Sequence, residues 1–335
     1  MPQPRKAQIS IHDTPYYHCM GRCVRRAFLC GEDNSSGKDY SHRKEWITNR
    51  LRELANSFTI EVCAYAVMSN HYHLVLKIND EQSKLITDEE VIERWMKLFN
   101  GHVLINRHLK GECHSSGEKD KVQEIIDEWR QRLSDISWFM RCLNESIARQ
   151  ANAEDKCTGR FWEGRFKSQA LLNEQAVLSC MVYVDLNPIR ATLSDNLEDS
   201  DFTSIQQRIT AYSNRLNKGN DKIINKSQPI KLAGFTNGSN IRKGIPYSLK
   251  DYFELADWTG RAIREDKRGY ISSKEPTIIS KLGIDAEIWL DTVKEYGENY
   301  HAFVGSEKDL KNVCEVTGKK WLAGIKTSRL LYCRQ

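Results

Sequence analysis

Three short stretches near the start of the chain have the apolar runs or two-residue alternation of strands. Tyr16 to Cys23, Ile60 to Val67 and His71 to Ile78 each predict a strand, the last two parted by Met68-Ser69-Asn70. Between the first and second, residues 41–57 (SHRKEWITNRLRELANS) have the spacing of an amphipathic helix. Trp46, Leu51 and Leu54 lie on or near one side, and Ser41 stands where an N-cap is expected. Helical spacing returns at 136–150. Residues 159–172 (GRFWEGRFKSQALL) then predict a basic, aromatic turn running into a strand. Asn173 predicts the cap of a helix that continues to about Leu186 and is stopped by Asn187-Pro188. Three more helices are expected at 251–265, 285–296 and 306–325.

Charge divides the rest. Residues 79–135 hold 13 acidic and 9 basic residues, and GECHSSGEKD (111–120) predicts an exposed loop between helical pieces, so this stretch reads as a surface insertion. Residues 205–250 hold 9 Lys/Arg against 1 Asp, with many Asn, Ser and Gly, which predicts a basic linker or a phosphate-contacting arm. The domain reading is therefore a first domain over 1–200 with an insertion at about 80–135, a linker or arm over 201–250, and a helical module over 251–335. The whole chain of 335 residues carries a formal charge of +5, which permits a polyanionic partner without demanding one. The first ten residues are polar, and no apolar run approaches the ~20 residues of a membrane span. The 10 cysteines are then expected to be reduced intracellular thiols, as in a cytoplasmic protein. Cys19-x3-Cys23, next to His18, lacks a second pair at zinc-finger spacing.

Two segments carry chemistry. On the strand SNHYHLVLKI (69–78), Tyr72, Leu74, Leu76 and Ile78 line one face, while His71 and His73 point together to the other, about 7 Å apart along the strand. Two converging imidazoles can hold one divalent cation, or can merely occupy the less buried side of a sheet. A nucleotide hydrolase of the histidine-triad type would need a third histidine where Val75 stands. On the helix NEQAVLSCMVYVDLNPIRATL (173–193), Val177, Leu178, Met181 and Val182 form one face. Tyr183 and Asn187, four apart, lie nearly opposite. Small Ala176, Ser179 and Cys180 share the tyrosine side, which predicts open space in front of the phenol.

MSNHYHLVL (68–76) together with YVDLNPIRA (183–191) resembles the single-tyrosine HUH transposases, most of all the REP-associated tyrosine transposases. YYHCMGRCVRRAFL (16–29) is similar to their first strand and turn, and GRFWEGRFKS (159–168) to their aromatic-basic segment. The resemblance covers roughly 10–80 and 136–197. It implies an α+β fold, a ferredoxin-like antiparallel sheet with helices, here followed by a mostly helical C-terminal extension. It also implies Tyr183 as nucleophile, His71 and His73 as metal ligands, and Asn187 as the third ligand, with Mg2+ or Mn2+ as the cofactor. The implied reaction cleaves and rejoins single-stranded, hairpin-bearing DNA through a 5′-phosphotyrosine. Arg22, Arg25, Arg26, Arg160, Trp162, Arg165, Lys167 and Arg190 are the expected DNA contacts, combining charge with an aromatic platform. The partner is single-stranded DNA, and both a homodimer and a monomer fit. The alternative reading is a domesticated, catalytically inactive DNA-binding protein.

Overall fold

The computed structural model describes residues 14–24, 29–33, 37–216, 229–238, 241–264 and 275–331. The chain opens with strand β1 (Tyr16–Arg22) and a small hairpin, β2 (Glu32–Asp33) and β3 (Lys38–Asp39). Helix α1 (Arg43–Ser57) leads into β4 (Ile60–Val67) and β5 (His71–Ile78). Four helices follow: α2 (Asp80–Leu85), α3 (Asp88–Met96), α4 (Val103–Leu109) and α5 (Ser116–Leu133). Then come α6 (Ile136–Glu154), β6 (Lys167–Leu171), α7 (Glu174–Asp185), α8 (Asn187–Arg190) and α9 (Ser204–Leu216). The C-terminal part holds α10 (Leu249–Ala262), α11 (Thr277–Lys281), α12 (Ala286–Lys294), α13 (Tyr296–Asn299), β7 (Phe303–Val304), α14 (Glu307–Thr317) and α15 (Ile325–Leu331).

The main sheet runs β4-β5-β1-β6-β7. Its first four strands are antiparallel to their neighbours, while β7 joins β6 in parallel. With α1 between β1 and β4, and α6 between β5 and β6, this is the order of a ferredoxin-like βαββαβ unit, so the expected fold class holds. Both edges are covered by chain from beyond residue 200. Leu232 bridges Val62 of β4, and β7 lies along β6.

Each face of the sheet carries its own core. Tyr72, Leu74, Leu76 and Ile78 meet α1, α5 and α6 on one side, as their alternation predicts. The acidic stretch contributes to that core: Val91, Trp95, Trp129 and Leu133 are buried in it. Its helices α3 and α5 start at capping boxes, Thr87 with Glu90 and Ser115 with Glu118. On the other side Val75, Ala64 and Ala66 meet α7, α10 and α12. A bulge at Cys63 shifts the β4 register between Val62 and Ala64, so Ala64 and Ala66 turn small side chains toward α7.

Three local expectations change. The N-cap of α1 is His42; the Ser41 N–H instead donates to the Asp39 carboxylate at 2.8 Å. The helix expected over 306–325 ends at Thr317, because Gly318 takes a left-handed conformation with φ +67°, and GKKWLAGIK becomes helical only from Ile325. The segment read as a basic linker begins with α9, whose buried Arg208 donates to the Cys63 and Ala233 carbonyls at 3.0 Å each.

Candidate functional site

The site lies where β1, β5 and β6 meet α7. In the antiparallel register Met20 stands opposite His73, Arg22 opposite His71 and His18 opposite Val75. Partners across such a pair share a face, so His18, His71 and His73 converge on the side that α7 covers. The His71 and His73 ring centroids are 4.9 Å apart, and those of His18 and His73 5.1 Å with their planes 17° from parallel.

Each imidazole has a defined polar partner. Asn70 Oδ1 lies 2.5 Å from His71 Nδ1. His18 Nε2 is 2.9 Å from His73 Nδ1, and its Nδ1 is 2.6 Å from Gln169 Oε1. Burial is the main reason these rings stay neutral. It holds His18 at about 4, and with the Arg22 charge it holds His71 at about 4. His73 falls well below the ordinary imidazole value through burial and then the neighbouring His18, His71, Arg190 and Arg22. A neutral imidazole is the form that binds metal.

Helix α7 carries Tyr183. Asn173 caps it, accepting from the Ala176 N–H at 2.9 Å, as the sequence predicts. The open space expected before the phenol is absent. Every residue from Ala176 to Asp185 is buried, because α10 and α12 pack over the side opposite the sheet. Small Ala176, Ser179 and Cys180 thus permit close helix packing rather than solvent access. Tyr183 itself is 8% exposed. Its ring lies 5.5 Å from His73 and 6.1 Å from His18, both edge-on. Tyr296 stacks on it at 4.7 Å and 23°, and the Arg190 guanidinium sits 4.8 Å from its centroid. Gly297 approaches the phenol so closely that a Cβ there would stand 3.3 Å from Oη.

A cavity of about 580 Å³ opens beside these groups. His18, His73, Tyr183, Arg165, Lys167, Gly297 and Tyr300 are among the residues that line it. Of the expected DNA contacts, Arg165 and Lys167 are exposed on its wall. Arg22 is exposed at the end of β1 beside His71. Arg160 is exposed but does not line the cavity. Trp162 is packed in the first core, its Nε1–H donating to the Asn144 carbonyl at 2.8 Å. Arg190 donates to the Lys294 carbonyl at 2.5 Å, which ties α8 to α12. Arg25 and Arg26 lie outside the described residues.

Helix α7 ends at Asp185, and after Leu186 Asn187 opens the short α8 with Pro188 in its first turn. The Asn187 side chain is buried, and among the described residues its Nδ2 has no hydrogen-bond partner. Two neutral imidazoles from one strand could donate to a divalent cation; the unpartnered Asn187 atom is an amide N–H donor, and only its carbonyl oxygen could serve as a ligand. Among the described residues no group of three or more His, Cys, Asp or Glu is arranged to hold a metal ion. His18 is engaged with His73 instead, and Cys19 faces the opposite core, so His18, Cys19 and Cys23 form no zinc site. Sequence reasoning missed Gln169, Tyr296, Gly297 and Tyr300. The alternation on β1 was the available signal for His18, since it shares the histidine face once β1 is paired with β5.

No described helix is long and apolar enough to cross a membrane. No family model matches the chain, and no curated protein matches it. Among solved structures, the chain is similar to a REP-associated tyrosine transposase bound to a REP hairpin. The two share 13% identity and a TM-score of 0.37, over 70% of this chain and 92% of the other.

Proposed function

We propose that this protein cleaves and rejoins single-stranded DNA, as a transposase with Tyr183 as nucleophile and a metal held by His71, His73 and Asn187. The observation that carries the reading is the approach of Tyr183 to within 5.5 Å of His73, on the face where His71 and His73 converge. The Tyr183 ring meets His73 of its own chain, which supports a tyrosine acting with its own histidines.

Arg165 and Lys167 on the cavity wall, with Arg22 beside His71, draw the DNA backbone in and hold the scissile phosphate near the imidazoles. A divalent cation, Mg2+ or Mn2+, supplies charge neutralisation on a non-bridging phosphate oxygen when bound. Tyr183 Oη forms a bond to phosphorus as the bond from phosphorus to the 3′-oxygen breaks. The phenol gives up its proton and the leaving 3′-oxygen gains one, so the products are a 5′-phosphotyrosine and a free 3′-OH. The reverse attack by another 3′-OH rejoins strands, and no ATP is consumed because the phosphotyrosine conserves the phosphodiester bond. The Arg190 guanidinium keeps a fixed positive charge over the reacting ring.

Labelled, hairpin-bearing single-stranded DNA incubated with Mg2+ or Mn2+ should give an adduct that survives denaturation, and Tyr183→Phe should abolish it. An adduct that persists in that variant removes Tyr183 from the reaction. One observation favours a second reading, a DNA-binding protein that no longer cleaves: Tyr183 is 8% exposed beneath Tyr296 and Gly297. Hairpin binding without adduct or cleavage would select it.

A further inference from the structure

We infer that His18 and Gln169 are positioning residues that fix which ring nitrogen of His73 is bare, and that the C-terminal part of the chain anchors them through the Tyr300 carbonyl. The inference rests on the reading of His73 as a metal ligand.

The logic follows from donors and acceptors along one chain of contacts. A backbone carbonyl only accepts, so Gln169 Nε2, 2.8 Å from Tyr300 O, donates to it. That orients the amide and turns Gln169 Oε1 toward His18 Nδ1, 2.6 Å away. Oε1 only accepts, so His18 carries its proton on Nδ1. In a neutral ring Nε2 is then the acceptor. His73 Nδ1, 2.9 Å from that nitrogen, must be the donor. His73 Nε2 is left with its lone pair. Asn70 does the same for His71 in one step, since its Oδ1 accepts from Nδ1. Both imidazoles therefore present Nε2.

The direction of this relay matters because an unconstrained neutral imidazole prefers its proton on Nε2. A ligand in that form must shed or move a proton before it can bind through Nε2. Hydrogen bonds to the far nitrogen of a metal-bound histidine orient the ring, and their loss typically weakens metal affinity about 10–100-fold. The far end of this relay lies between α13 and β7, so docking of that segment reaches His73 through two side chains.

The test is two-bond 1H–15N spectroscopy of the full chain labelled at histidine, followed by Mn2+ titration. In the wild type, His18 and His73 should both carry the proton on Nδ1. His18→Leu and Gln169→Met should move His73 toward the Nε2–H form and weaken Mn2+ binding by about 10–100-fold. His18→Gln places an amide oxygen near the former Nε2 position, and it should keep both the His73 tautomer and the affinity. This rescue separates positioning from mere filling of space and covers the case in which His18→Leu fails to fold. A wild-type His73 protonated on Nε2 would overturn the inference, as would an unchanged tautomer in both His18→Leu and Gln169→Met. If the tautomers are as expected but neither the wild type nor His71→Ala binds Mn2+, the metal reading fails while the relay stands.

Discussion

Tyr183 is held between two regions of opposite character. On its sheet side stand His18 and His73, polar rings tied into a directional set of hydrogen bonds. On the other side stand Tyr296 and Gly297, which touch the ring by stacking and close approach. The sheet side offers chemistry and the helical side governs room. The two regions also differ in origin: one is a pair of neighbouring strands near the N-terminus, and the other arrives more than a hundred residues after the tyrosine. The separation is partial, because the Tyr296 ring also meets His18 edge-on at 6.2 Å and the Tyr300 carbonyl holds Gln169, the partner of His18.

Variants that act on one side alone test that separation. Trp289, fully buried on α12 with its Nε1–H donating to Thr259 Oγ1 at 3.0 Å, anchors the helical side. Trp289→Ala should lower stability by about 3–5 kcal/mol in urea unfolding and raise nitration of Tyr183 by tetranitromethane. Loss of stability with no gain in nitration would mean that α12 does not limit access. On the sheet side, His73→Ala should slow adduct formation by about 10²–10³-fold while hairpin binding changes little in a gel-shift assay.

Asp185, at the end of α7 two residues after Tyr183, ties that helix to α9 and α10. It accepts from Ser204 Oγ and the Ile205 N–H of α9 and from Tyr252 Oη of α10. Burial raises its carboxyl from 3.8 to about 6. The folded state therefore favours the protonated acid, whose stabilising contribution is complete below about pH 4 and is lost as pH rises through 6. The stability of the wild type relative to Asp185→Asn should fall by up to about 3 kcal/mol between pH 4 and 7, as read from urea midpoints. A flat difference would show that folding leaves the Asp185 carboxyl at its unfolded value.

Gly297→Ala tests room alone. Crowding Oη should slow adduct formation about tenfold, equivalent to ~1.4 kcal/mol, with Mn2+ affinity intact. Equal losses in both would merge the two regions into one unit. The smallest expected effect is at the cavity wall: Arg165→Ala and Lys167→Ala should each reduce the salt dependence of DNA binding by about one phosphate contact.

The sheet side was largely legible in the sequence. A strand's two faces follow from strict alternation, so His71 and His73 could be placed opposite Leu74 and Leu76 without knowing what covered them. The cap at Asn173 and the stop near Asn187-Pro188 are equally local. The helical side was not legible, because a helix buried all round has the same small residues that an exposed one could show. Ala176, Ser179 and Cys180 read as space when they are contact surface. His18 needed strand register, and Tyr296-Gly297 needed the long return of the chain; neither leaves a periodic trace. Trp162 shows the ambiguity of an aromatic beside arginines, which suits a base platform or a core equally well from sequence.

Strand β7 is two residues long, and it rests against the outermost main-sheet strand contributed by the first 200 residues. The Ala170 and Leu172 N–H groups donate to Ala302 and Val304 at 2.8 Å each. A chain cut by a protease or a premature stop before Ala302 would leave that border with unsatisfied backbone donors, able to recruit a strand from another molecule. For such a fragment the expected fate is self-association rather than a smaller working enzyme, so these two residues act as a seal on the solubility of everything before them.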